Sequence, residues 1–136
     1  MIYKMSKVIG RGFPESVFEV KTSRIPKAGL GLFSTIHIKK NERVMEYRGV
    51  LRLIDDGHEN HDYCFEIGKY CIDASDPKSC KARFANDVFG TKFKVNLRVM
   101  VDKKNRRIWY VACRNIKPGT ELFLNYGSEY WSSRGM

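Results

Sequence analysis

The ten residues CFEIGKYCID, at 64–73, read as two short strands folded back on each other at Gly68-Lys69. Glycine in the first turn position suits a type II′ hairpin turn, whose left-handed residue resists other side chains. Counting outward from that turn sets Cys64 opposite Asp73 and Cys71 opposite Glu66. The two cysteines are then not direct cross-strand partners, so reduced, partly buried thiols are expected. A second hairpin is expected where VNLRVMV and RRIWYVA flank Asp102-Lys103-Lys104-Asn105. Further strands are expected at 17–21 (VFEVK) and 43–51 (RVMEYRGVL). In Lys117-Pro118-Gly119-Thr120, Pro and then Gly occupy the centre, as a type II turn requires, and the turn feeds a last strand, ELFLNY. One short helix is expected at 77–84, capped by Asp76 with Pro77 in its first position. Many short strands with little helix imply a mostly β fold of several small sheets.

The 136 residues fit one domain with its own core. Residues 1–14 read as a loose basic lead-in, 15–131 as the domain and 132–136 as a short tail. Lysine and arginine total 25 against 15 acidic residues, a net charge of +10. Such an excess favours an anionic partner such as nucleic acid or a nucleosome. No apolar run approaches the roughly 18 residues of a membrane span, and MIYKMSKVIGRGF has no continuous apolar stretch like a signal peptide. A nuclear or cytosolic location without membrane contact is expected. Cys64, Cys71, Cys80 and Cys113 form no C-x-x-C pair, so no metal site is expected. His58 and His61, within the polar stretch 55–62, read as solvated loop residues, and no G-x-S-x-G or H-E-x-x-H points to a hydrolase.

Three stretches could carry chemistry. In KAGLGLF, 27–33, two glycines one residue apart allow close backbone approach to a ligand, or simply make a tight turn entering a strand. Ser34 stands where a dinucleotide fingerprint needs its third glycine. The aromatic residues Tyr63, Phe65, Tyr70, Tyr110, Tyr126, Tyr130 and Trp131 fall around the hairpins and the C-terminal end. Such rings could form a channel that holds an alkylammonium or sulfonium by cation–π attraction, or could simply pack a core. Tyr126, between Asn125 and Gly127 just past the last strand, has the best position for a site residue. In RFANDVFG, 83–90, Asn86-Asp87 is turn chemistry set among aromatics. It is either a turn pinned to a core or the polar corner of a ligand site.

In this order, KAGLGLF, YCIDA (70–74), ARFAND and KPGTELFLNYG (117–127) resemble the SET domain of protein lysine methyltransferases. The likeness runs over 17–131. ARFAND is similar to the family's R-F-x-N-H motif, and KPGTELFLNYG to its G-E-E-L-x-x-D-Y motif. Asn96-Leu97 and 109–130 resemble the PR subtype. The resemblance implies a SET fold in which the RFAND segment and the C-terminal segment interlock as a pseudoknot. It also implies S-adenosyl-L-methionine as methyl donor and a lysine side chain as acceptor.

By position, the backbone of Ala28, Gly29, Leu30 and Gly31 is implied to hold the donor's amino-acid end. Arg83 and Phe84 position the next residues, Asn86 bonds the donor and the Asp87 backbone meets its adenine. Tyr126 is the implied catalytic tyrosine, with Tyr63 at the junction of cofactor and lysine channel, and Phe65 and Tyr130 complete the channel walls. Tyr130 and Trp131, the latter beside the cofactor, stand in for the cysteine-rich zinc segment that closes the site in many relatives. Asp87 replaces the motif's histidine and Asn125 its aspartate.

The implied activity is protein-lysine N-methylation of a basic tail, a histone at the level of the family, in a monomer or homodimer that contacts nucleosomal DNA. A catalytically silent PR-type module that binds chromatin or nucleic acid is the alternative the same residues leave open.

Overall fold

The computed structural model describes residues 7–54 and 63–125. Ten strands carry the fold: β1 (Phe18–Thr22), β2 (Leu30–Ser34), β3 (Arg43–Tyr47), β4 (Val50–Leu53), β5 (Cys64–Ile67), β6 (Tyr70–Asp73), β7 (Asn86–Asp87), β8 (Leu97–Asp102), β9 (Arg107–Ala112) and β10 (Glu121–Leu124). Two 3-10 turns, Glu15–Val17 and Lys81–Phe84, are the only helical elements among the described residues. The mostly β architecture of small sheets is the one expected.

Both hairpins form, the first in the register counted from its turn and the second with its turn at 103–106, one residue later than the flanking strands implied. Cys64 lies opposite Asp73 and Glu66 opposite Cys71, with Gly68 at φ 58°. β8 and β9 pair from Leu97↔Ala112 to Asp102↔Arg107. At the type II turn Gly119 has φ 84°, and the Thr120 amide donates to the Lys117 carbonyl at 3.2 Å.

Two expectations need correction. The stretch 43–51 is not one strand. It breaks at Arg48-Gly49, so β3 joins β9 in the larger sheet while β4 joins β6 in the smaller one. A side chain on Gly49 would overlap the carbonyl of Asp73, so the crossing between sheets brings backbone against backbone. The helix expected at 77–84 is also absent. Asp76 accepts bonds from the amides of Lys78 and Ser79, closing a single turn. Buried Cys80 then extends at φ −168°, and only Lys81–Phe84 turns again. Tertiary bonds decide this, because Lys81 donates its amide to Glu15 Oε2 and its Nζ to the carbonyls of Glu15 and Phe18.

The larger sheet runs β1-β2-β10-β8-β9-β3, with β7 also beside β10, and the smaller runs β4-β6-β5. Phe18, Leu32, Val44, Tyr110, Ile116 and Leu122 are among the residues that fill the core. β10 is the central piece, buried at all four positions. Along one edge it pairs antiparallel with β2 and then parallel with β7, and along the other it pairs parallel with β8, so that Leu124 lies between Asp87 and Leu97. Asn96 fixes this insertion. Its Nδ2 donates to the Glu121 carbonyl at 2.9 Å, its Oδ1 accepts from the Phe123 amide at 2.7 Å, and its own amide bonds the Phe123 carbonyl. A buried amide with both ends satisfied behaves as an extra rung of the ladder.

Candidate active site

The glycine segment is held from behind by a carboxylate. Glu121 is fully buried at the start of β10. Its Oε2 accepts from the Ser23 hydroxyl at 2.7 Å and its Oε1 from the Arg24 amide at 2.8 Å. Ser23 Oγ in turn accepts from the Ile25 amide, and the Gly29 carbonyl accepts from the Ser23 amide. These bonds shape the loop that leads through Ala28 and Gly29 into β2. Gly29 takes φ 76°, a conformation open to glycine. Gly31 has a different reason to be glycine, since a Cβ there would overlap Glu121 Oε2.

Beside this loop lies the RFAND segment, which forms a turn and is bonded to the loop. Asp87 Oδ1 accepts from the Phe89 amide at 2.7 Å, which is turn chemistry. Asn86 Nδ2 donates to the Leu30 carbonyl at 2.9 Å, tying the segment to the glycine loop. The backbones of both residues pair with β10. Asp87 thus makes a ladder contact that does not depend on its side chain. Phe89 is 78% exposed, so it pins nothing to the core.

Arg83 organises the other end of the segment. Its guanidinium lies 4.0 Å from the centre of the Tyr63 ring and 4.8 Å from that of Phe84. Its Nε donates to the Ala74 carbonyl at 2.7 Å. Tyr63 is held again from its backbone, where its carbonyl accepts from the Tyr47 hydroxyl at 2.6 Å. Tyr47 stacks edge-on against Phe65 at 4.6 Å and lies 6.0 Å from Tyr110. The Tyr110 hydroxyl donates to the Ala82 carbonyl.

These residues enclose a cleft of about 210 Å³, lined by Tyr47, Tyr63, Phe65, Arg83, Ala85, Asn86, Asp87, Tyr110 and Leu124. One wall is aromatic and the other edge is polar. An aromatic wall attracts a cation, while exclusion of water disfavours an ammonium's charge. The thiol of Cys64, next to Tyr63 in sequence, is pushed up to about 12, chiefly by burial and then by hydrogen bonding with Cys71. It is therefore a neutral, unreactive group. No cluster of three or more metal-binding side chains occurs among the described residues.

Of the residues singled out from sequence, Tyr63, Phe65, Arg83, Asn86, Asp87 and Tyr110 line the cleft together. Leu30 joins them through Asn86, and Phe84 through Arg83. Ala28, Gly29 and Gly31 form the adjoining loop without lining the cleft. Tyr70 does not belong to the aromatic wall, because it pairs with Ile67 and Leu53 at the far end of the β5–β6 hairpin. Tyr126, Tyr130 and Trp131 lie outside the described residues. Sequence reasoning missed Glu121 and Tyr47, and named Asn96 only for a subtype likeness. A charged residue opening the otherwise apolar run ELFL was the available signal for Glu121.

Comparison with known proteins bears on this geometry. The family model of the SET domain matches residues 29–127. The histone-lysine N-methyltransferase set-1 of Caenorhabditis elegans is 30% identical, over 86% of this chain and 53% of that protein. The histone-lysine N-methyltransferase EZH2 of Chaetomium thermophilum is 29% identical, over 79% of this chain and 8% of that protein. The chain thus spans about half the length of the first relative and a small part of the second.

Among solved structures, KRYPTONITE in complex with mCHH DNA, H3(1-15) peptide and SAH superposes with a TM-score of 0.63 at 33% identity, covering 81% of this chain and 23% of that one. An autoinhibited ctPRC2 bound to S-adenosylmethionine gives 0.66 at 25% identity, covering 88% of this chain and 17% of that one.

Proposed function

The chain belongs to the SET-domain family, and from that premise we propose that it is an S-adenosylmethionine-dependent protein-lysine N-methyltransferase acting on a histone tail in the nucleus. The observation that carries the reading is the cleft in which the aromatic wall of Tyr47, Tyr63, Phe65 and Tyr110 meets the polar edge of Arg83, Asn86 and Asp87.

S-adenosylmethionine supplies the methyl group when bound. The residues present suit it. The loop around Ala28, Gly29, Leu30 and Gly31 would hold its amino-acid end, and Asn86 and the backbone of Asp87 would meet the rest. Asn86 Nδ2 gives one proton to Leu30, which leaves its carbonyl oxygen available as an acceptor. The solved relatives bound to SAH and S-adenosylmethionine support this assignment.

The channel's task is to present a neutral amine in line with the methyl group. Alignment of this kind is worth about 7–11 kcal/mol of barrier in the best-oriented systems. Tyr63, Phe65 and Tyr130 would strip water from the lysine and favour its neutral form, although cation–π attraction works the other way. Tyr126 would orient the amine with its hydroxyl rather than act as a strong base. Leu124, two residues before it in sequence, lines the cleft. Trp131 would cover the cofactor.

The test is incorporation of a radiolabelled methyl group into core histones and nucleosomes. Incorporation is expected, and expected to fall at least about a hundredfold in Tyr126→Phe, the loss of one oriented donor in an excluded site. Undiminished incorporation in the variant would overturn the mechanism. No incorporation on any substrate, with histone binding retained, would instead favour the silent interaction module.

A further inference from the structure

The part of the molecule that the methyltransferase reading leaves unused is the meeting point of two hairpin tips. The β5–β6 turn carries Lys69, and the β8–β9 turn carries Lys103, Lys104 and Arg106. All four are exposed. Tyr70 joins the turns, with the Arg106 guanidinium 4.2 Å and the Lys69 ammonium 5.9 Å from the centre of its ring. Cation–π contact thus holds charges from two separate hairpins on one ring, against their mutual repulsion.

Among the described residues, the carboxylates nearest the two turns lie outside them or are engaged within the fold. Asp102 closes its own turn, accepting from Asn105 Nδ2 at 2.9 Å and from the Asn105 amide at 3.2 Å. Glu46 takes Arg107 through two bonds, at 2.9 and 2.7 Å. Glu66 lies on β5 opposite Cys71, outside both turns. Between 92 and 117 the chain has a single acidic residue, Asp102. The four tip cations therefore form one basic surface.

We propose that Lys69, Lys103, Lys104 and Arg106 form a docking platform for the phosphate backbone of duplex DNA. Duplex DNA carries one negative charge for about every 1.7 Å of its axis, so clustered cations bind it by displacing counterions. The chemistry favours a backbone over exposed bases. Single strands are gripped on open aromatic faces, and here the Tyr70 ring is covered by Arg106. Four residues of hairpin separate Tyr63 at the cleft from Gly68 at the tip, roughly 16 Å of extended chain. A duplex on the tips would leave the channel free for a tail emerging beside it. Only this last point rests on the methyltransferase reading, since duplex binding can be measured in a chain that transfers no methyl group.

The experiment is fluorescence anisotropy of the full chain with a labelled mixed-sequence DNA duplex, across a range of salt. The platform variant is Lys103→Gln/Lys104→Gln/Arg106→Asn. Asparagine is chosen because residue 106 sits at φ 53°, which it tolerates. The control Lys39→Gln/Lys40→Gln/Lys117→Gln removes the same charge from exposed positions away from the tips.

The platform variant is expected to bind at least about tenfold more weakly, with a log–log salt slope shallower by roughly 2 to 3. The control is expected to lose far less. Equal losses in both would overturn the platform in favour of overall charge, and so would unchanged binding in the platform variant. Tighter binding of a single-stranded RNA of equal length would overturn the duplex assignment. If the triple variant fails to fold by thermal melting, Lys103→Gln/Lys104→Gln keeps the Arg106 stack and should still flatten the slope by about 2. Platform loss without any methyl transfer refutes the activity alone, and methyl transfer with unchanged duplex binding refutes the platform alone.

Discussion

Glu121 accepts a hydrogen bond from the Ser23 hydroxyl at 2.7 Å across 98 positions of sequence, inside a site from which water is excluded. A fully buried carboxylate is tolerated only where its oxygens are satisfied, and here the second oxygen takes the Arg24 amide. Glu121→Gln keeps the shape and one acceptor and should cost about 1–2 kcal/mol. Glu121→Ala leaves the Ser23 hydroxyl and the Arg24 amide without an acceptor and opens a cavity, for about 3–5 kcal/mol. Gly31→Ala should be damaging on its own and less so beside Glu121→Ala, because the overlapping oxygen is then gone. Urea denaturation of the parent and the four variants measures each term. A Glu121→Ala protein as stable as the parent, or strictly additive changes, would remove the carboxylate as the loop's support.

Asn86 is where the polar edge of the cleft meets the glycine loop, and the direction of its bond matters. Its amide donates to the Leu30 carbonyl. Asn86→Asp puts an acceptor, and a negative charge, against that oxygen, so it should harm more than Asn86→Ala despite its closer shape. Affinity for S-adenosylhomocysteine, read by calorimetry, is expected to fall about tenfold or more in Asn86→Asp, the equivalent of roughly 1.4 kcal/mol. The stability loss of Asn86→Ala should stay near 1 kcal/mol. Equal affinities across the three chains would separate Asn86 from the cofactor.

Tyr47 acts on the cleft through Tyr63, whose carbonyl it holds at 2.6 Å. Tyr47→Phe keeps the edge-on packing against Phe65 and deletes only the hydroxyl. About 1 kcal/mol of stability should go with it, together with roughly tenfold of kcat/KM, since small misplacements in an alignment-dependent reaction are costly. If stability falls and methyl transfer does not, the bond supports the fold and not the channel.

The parts of this fold that could be read from sequence are those set by neighbours in the chain. The turn at Gly68-Lys69 and the Pro118-Gly119 turn arise from which residues tolerate left-handed backbone, and the first fixes the register of its hairpin. The break at Gly49 could not be read that way, because the atom that forbids a side chain belongs to Asp73, a distant residue. The helix expected from Asp76-Pro77 failed for a similar reason, with Lys81 drawn to Glu15 and Phe18. In the site, RFAND offered two readings, and the turn bond of Asp87 was the part legible from residue type, while the bond of Asn86 to Leu30 spans 56 positions. Glu121 was not recognised, because alternation tells which side chains share a face and not that β10 is enclosed on both. Tyr70 was grouped with the channel on residue type alone, while strand register sends it to the opposite end of its hairpin.

The cysteines give a prediction that separates burial from reactivity. Burial holds the Cys64 thiol up at about 12, above the ordinary 9.0, and raises Cys80 in the same direction. A folded-state value above the unfolded one means that the neutral thiol favours the fold. That contribution is complete below about pH 9 and is lost as pH rises from 9 toward 12. Unfolding free energy should therefore decline across this window, and a Cys64→Ala chain should show a shallower decline than its parent. At neutral pH, iodoacetamide followed by mass spectrometry should label the half-buried Cys113 first, with Cys64, Cys71 and Cys80 labelled only as the chain unfolds. Rapid labelling of Cys64 in the folded protein would show that the β5–β6 hairpin opens far more readily than its buried packing implies.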